Sequence, residues 1–154
     1  MAKVLFIKRD DLVRNSVISG NVDSDKFLQF IEIAQEIHIQ NYLGTKLYDK
    51  LRDDINILTT VTFTMVANDQ GWGGSNSAHV RYQINDGNCI KAFTITRRPK
   101  EHLKAEYSFT INGCELNKNQ DKNAAQTIYI WLYCPPWAGW KAEVHEISCE
   151  LKYN

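Results

Sequence analysis

Two periodicities divide the chain near Leu58. Before it, Phe27, Phe30, Ile31, Ala34, Ile37 and Asn41 follow one another at three- and four-residue steps. That spacing predicts an amphipathic helix with one apolar stripe. Asp23 stands where an N-cap carboxylate accepts from the free N–H groups of a first turn. Gly44 stands where a helix takes a left-handed C′ residue. Thr45 then caps a second, shorter helix that carries Leu47, Leu51 and Ile55 along one side. Ahead of both, Val4 to Ile7 reads as a short extended run. Asp10 to Arg14 reads as one helical turn with two acids at its positive end. Gly20-Asn21 reads as a turn.

From Thr59 onward the period is two. Thr60 to Val66 alternates strictly, and Ala78 to Ile84 sets Val80, Tyr82 and Ile84 against His79, Arg81 and Gln83. Cys89 to Thr96 alternates with one shift, and Tyr107 to Ile111 forms a fourth run. Thr127 to Cys134 has the Ile-, Tyr-, Trp- and Leu-rich look of a central strand. Val144 to Tyr153 closes the chain, with Ile147, Cys149 and Leu151 in step. Asn85-Asp86-Gly87, Asn112-Gly113 and Pro135-Pro136 separate these runs as turns. The expected fold is therefore α+β: a helical docking segment over 1–58, then an antiparallel β-sandwich over 59–154. The sandwich is expected to be jelly-roll-like, with its first strand paired near its last.

Two helices of this size cannot bury their own apolar faces. They are expected to dock on the rest of this chain, on another copy or on a different protein, and the leading expectation seats them against other subunits through Phe27, Ile31, Ala34, Leu47, Leu51 and Ile55. Composition narrows the partners. The 154 residues are 44% hydrophobic and carry 18 basic and 18 acidic side chains. That hydrophobic content supports an ordinary core. The zero net charge argues against nucleic acid and against a membrane surface as partners. No apolar run reaches the ~20 residues of a membrane span, and Val4 to Ile7 is too short for a signal-peptide core. The protein is expected to stay where it is made.

No constellation for chemistry stands out. Cys89, Cys114, Cys134 and Cys149 are isolated. They are expected to be buried thiols in a reducing compartment, with disulfides open because the number is even. His38, His79, His102 and His145 lack metal-ligand spacing, so no metal and no cofactor is expected. No GxSxG elbow or cysteine-protease signature occurs. Gly71-Trp72-Gly73-Gly74 lacks the order of a phosphate loop. Glu143, Glu146 and Glu150 read as solvent-facing acids on an edge-like last strand. An enzyme is not expected.

The aromatic residues leave two readings open. Trp72, Trp131, Trp137 and Trp140 either fill the sandwich core and corner or line a ligand surface. On the second reading Trp72, Trp137 and Trp140 stack on sugar rings, with His79 and Arg81 among the polar partners.

The segment Leu5-Phe6-Ile7-Lys8-Arg9-Asp10-Asp11-Leu12, the run Gly20 to Phe27, and above all Ile33-Ala34-Gln35-Glu36-Ile37-His38-Ile39-Gln40-Asn41-Tyr42-Leu43-Gly44-Thr45-Lys46-Leu47-Tyr48 carry a family likeness. They resemble the N-terminal part of head–tail connector (neck or ring) proteins of tailed phages that infect Bacteroidetes, including the crAss-like group. The likeness covers residues 3–57. It implies a multi-copy ring below the portal, built from helical bundles and without catalysis. After Leu58 this chain departs from such relatives, which continue with helices. The region 59–154 is similar in texture to β-sandwich modules of the carbohydrate-binding and galactose-binding-like type.

These readings combine into one expectation: a virion structural protein of the neck or tail, assembled in the bacterial cytoplasm. Its partners would be the portal, neighbouring ring or tail proteins, and other copies of itself in a ring. The alternative is a carbohydrate-binding sandwich that recognises a host-surface glycan.

Overall fold

The computed structural model describes residues 3–13, 17–19, 25–37, 46–47, 56–69, 79–95, 105–116, 124–133 and 141–154. In chain order the elements are β1 (Lys3–Lys8), α1 (Asp10–Val13), β2 (Val17–Ser19), β3 (Asp25–Ile33), β4 (Glu36–Ile37) and β5 (Lys46–Leu47). There follow β6 (Asn56–Asp69), β7 (His79–Ile84), β8 (Ile90–Thr94), β9 (Ala105–Asn112), a 3-10 turn (Gly113–Glu115), β10 (Gln126–Tyr133) and β11 (Lys141–Tyr153). The chain is mostly antiparallel β. Among the described residues only the β3–β5 pairing is parallel.

The alternating segments form strands because one side of each is apolar and the other polar. In β6, Val61, Phe63, Met65 and Ala67 are buried, while Thr60, Thr62 and Thr64 lie on the opposite face. In β10, Ile128, Ile130 and Leu132 are buried between Thr127, Tyr129, Trp131 and Tyr133. The elements assemble into a six-stranded and a five-stranded sheet. In the first, β11 lies between β6 on one side and β1 and β2 on the other, and β6 also pairs with β9 and β4. The second has the order β5-β3-β10-β7-β8. As its composition indicated, β10 is central, and β6, the first strand of the expected sandwich, pairs with the last along most of its length.

Ring contacts join the two sheets. Phe30 of β3 meets Phe63 of β6 edge-on at 4.6 Å. Tyr82 of β7 stacks on Phe109 of β9 at 5.4 Å, and Phe93 of β8 stacks on Tyr107 at 4.9 Å. Such pairs each add about 0.5–1.5 kcal/mol beyond area burial. Arg9 provides a further link. Its backbone N–H donates to the carbonyl of Ile147 at 2.8 Å, and its guanidinium donates to the carbonyl of Phe30.

The helix expected from Asp23 to Gly44 is not formed over its described part, where β3 takes its place. The reason is a bulge. Opposite β10, Ile128 faces Ile31 and Tyr129 faces Gln29, so Phe30 is the extra residue. A bulge puts two consecutive side chains toward one face, and both Phe30 and Ile31 are buried. Phe27, Phe30, Ile31 and Ala34 then mimic helical steps while the chain is extended. The density of Phe and Ile suits a strand, and pairing with β10 decides the outcome. After Ile33 the chain turns at Ala34-Gln35 into the other sheet, where the N–H of Leu58 donates to the Gln35 carbonyl at 2.8 Å.

The boundary expected at Leu58 falls inside β6. Ile7, Phe30, Ile31, Ile33 and Ala34 belong to the same core as Phe63, Ile130 and Ile147. Described elements on either side of residue 58 therefore share sheets and core, and they do not behave as a docking segment and a separate body. The last strand is not an edge either, since β11 is paired on both sides. Asp23, Asn41, Gly44, Thr45, Leu51, Ile55 and His38 lie outside the described residues.

Candidate functional site: the outer face of the five-stranded sheet

The alternation that buries Ile128, Ile130 and Leu132 turns Thr127, Tyr129, Trp131 and Tyr133 to the other side of β10. Cross-strand partners on that side come from β3 and β7. Phe27 faces Trp131 and Gln29 faces Tyr129 on one flank. Arg81 faces Trp131, Gln83 faces Tyr129 and His79 faces Tyr133 on the other. On β8, Lys91 faces Arg81. One row thus crosses four strands in the order Phe27, Trp131, Arg81, Lys91. It spans about 14 Å at the usual strand spacing of ~4.8 Å.

The rings support one another. Phe27 stacks on Tyr129 at 4.5 Å and meets Trp131 at 4.6 Å with a 50° tilt. His79 packs against Tyr133 at 4.8 Å. Arg81 Nε donates to His79 Nε2 at 2.9 Å, which makes that nitrogen the acceptor of a neutral imidazole. The Trp131 indole N–H is enclosed and has no acceptor. Ring contacts rather than a hydrogen bond therefore hold this side chain. Arg81 and Lys91 are exposed, and among the described residues no carboxylate pairs with either.

The residues expected at a docking stripe are dispersed. Ile31 and Ala34 are 0% exposed in the chain's own core. They cannot seat against another subunit, because the two sheets already cover them. Phe27 remains 46% exposed, but it belongs to the ring cluster and not to a helix face. Leu47 lies on β5, paired alongside Ile33; Leu51 and Ile55 lie outside the described residues. Of the expected ligand surface, His79 and Arg81 do come together. Trp72, Trp137 and Trp140 lie outside the described residues. The alternation itself contained the signal for Tyr129, Trp131 and Tyr133. It was hidden because both faces of β10 are rich in apolar atoms, so the segment reads as a buried central strand throughout.

A second exposed group lies on β1. Val4 and Phe6 are 53% and 65% exposed on the outer side of the six-stranded sheet, opposite Lys152 and Glu150. Most of the other described side chains on that side are polar. Thr62 and Thr110 share a hydrogen bond at 3.0 Å, and Lys152 lies 3.7 Å from Glu150. The acids expected to face solvent are on β11, with Glu146 exposed and Glu143 and Glu150 half-buried.

Three further groups have their titration shifted by their surroundings. Arg9 holds Asp11 at 2.6 Å, and this contact lowers the carboxyl pKa below its ordinary value. Burial raises the Tyr82 hydroxyl, assisted by the nearby charge of Glu115. Burial also pushes the Cys149 thiol up to about 12, so it stays protonated at neutral pH. Contrary to the expectation of uniformly buried thiols, Cys89 and Cys114 are exposed, because they lie in the β7–β8 connection and the 3-10 turn rather than on an inward strand face. Cys134 lies outside the described residues. Among the described residues, no cluster of three His, Cys, Asp or Glu side chains has the geometry to hold a metal, and no helix is long and apolar enough to cross a membrane.

No protein-family model matches the chain, and no curated protein matches it at a significant level.

Proposed function

We propose that the protein is a non-catalytic structural component of a tailed-phage particle, a neck or tail ring subunit with a jelly-roll-like β body. One observation carries the assembly reading. Among the described residues, the exposed large hydrophobic side chains are Val4, Phe6, Phe27, Ile57 and Ile90, and the first four all precede residue 58. The same stretch bears the resemblance to phage connector proteins. Val4 and Phe6 sit together on β1, at the end of the sheet order. Covering an apolar side chain of this kind is worth about 1.5–3 kcal/mol. An end strand with exposed apolar residues is also a natural place for another chain to add.

The docking surface on this reading is β1. Its occupant is a neighbouring copy, joined through a heterologous contact that closes into a ring. Portal and tail proteins would stack above and below, within a virion assembled in the host cytoplasm. The pairing of β6 with β11 supports the jelly-roll-like topology.

The test is the double substitution Val4→Asp with Phe6→Asp. Both side chains point away from the core, so the melting temperature should stay within a few degrees of the parent. The parent should sediment as a closed oligomer, the variant as a monomer, and particles built with the variant should lack the subunit. A parent that is monomeric at assembly concentrations would count against the reading. So would a variant that enters particles normally.

A further inference from the structure

We infer that the outer face of the five-stranded sheet binds a carboxylate-bearing oligosaccharide, of the uronic or sialic acid kind. This inference is independent of docking at β1, which lies on the other sheet.

The row Phe27, Trp131, Arg81, Lys91 changes character across its width. Its β3–β10 half is aromatic and its β7–β8 half is cationic. An acidic sugar has the same division: a ring with apolar C–H faces and, at one edge, a carboxylate. Trp131 would meet the C–H face, because an aromatic side chain offers broad apolar contact at low conformational cost. Arg81 would take the carboxylate. Among the described residues its one partner is His79, which takes its Nε at 2.9 Å, and the guanidinium fork suits two parallel bonds to a carboxylate. Lys91, directly opposite Arg81, would add a second charge at the same edge.

Two further rings extend the site along the strand. Tyr129 and Tyr133 flank Trp131 at alternate positions of β10. From one tyrosine to the other the strand covers about 14 Å at ~3.4 Å per residue. That length suits a short oligosaccharide better than one sugar unit. Single-stranded nucleic acid also uses rings beside cations, but it needs a track of positive charge for successive phosphates. Among the side chains described on this face the cations are Arg81 and Lys91, at one end of one row; Glu32 stands on the same face of β3, and the chain has no net charge. A single carboxylate fits that charge pattern.

The experiment is calorimetric titration of the full chain with oligogalacturonate, a hyaluronan fragment and sialyllactose. Each is paired with its methyl ester, and a single-stranded oligonucleotide serves as the competing class. At least one acid should bind, and its ester should bind about tenfold more weakly. Arg81→Gln should weaken the acid about tenfold and the ester far less, since the guanidinium acts mainly on the charge. Trp131→Ala should weaken both forms. Should that variant fail to fold, the exposed Arg81 variant still decides the matter. The inference is overturned if no carboxylated sugar binds, if acid and ester bind equally, or if only the oligonucleotide binds.

Discussion

Gly113 occupies a place where no side chain fits. A Cβ there would stand 2.0 Å from the Leu58 carbonyl oxygen and 2.8 Å from its carbon. Backbone cannot move aside as a flexible side chain can, so Gly113→Ala should cost about 2 kcal/mol or more, read as a lower urea midpoint. Asp11 makes a gentler demand. Its carboxyl pKa is lowered in the folded state by Arg9, so its contribution is present above the unfolded value of about 3.9. It is lost as pH falls through the lower folded value. Asp11 is 64% exposed at its side chain, and solvent screening keeps the effect under about 1 kcal/mol. The Tm of Asp11→Asn should therefore lie slightly below the parent at pH 7 and converge with it as pH falls below the lowered folded value. A gap that persists undiminished in acid would show that the ion pair is not its source.

At the scale of elements, the turn between β7 and β8 shows how much local chemistry decides. Asn85 has φ of 51°, a left-handed conformation that asparagine tolerates better than most residues. Its side chain accepts from the Thr127 N–H at 2.9 Å and donates to Gln126 Oε1 at 3.2 Å. Asn85→Ala removes both bonds and keeps the strained backbone, so a loss of about 1–2 kcal/mol is expected from thermal or urea unfolding. This turn was legible from Asn85-Asp86-Gly87, as were the strict alternation of β6 and the in-step Ile147, Cys149 and Leu151 of β11. The N-terminal stretch was misread for a definite reason. A bulged strand with consecutive buried residues, Phe30 and Ile31, gives the same short-range pattern as a helix stripe. Periodicity cannot separate the two; the partner strand β10 does, and it lies almost a hundred residues away in sequence. The row across β3, β10, β7 and β8 was hidden likewise. Each residue type was visible, but which strands lie side by side is a property of the sheet order.

At the scale of the whole molecule, the consequence is integration. The described strands of the N-terminal third are not an appendage, since β1 belongs to one sheet and β3 to the other. Any docking must then use side chains that this β body leaves outside, such as Val4 and Phe6, and not the Ile31 and Ala34 it encloses. Folding and assembly therefore rest on different residues. Ile31→Asp buries an unpaired carboxylate between the sheets, a change whose cost of several kcal/mol rivals the stability of a small domain. The decisive measurement is the near-ultraviolet circular dichroism and thermal unfolding of this single variant. The account predicts loss of the aromatic signal and of the cooperative transition across the entire β body. A variant that keeps both, and loses only its association with other subunits, would contradict it.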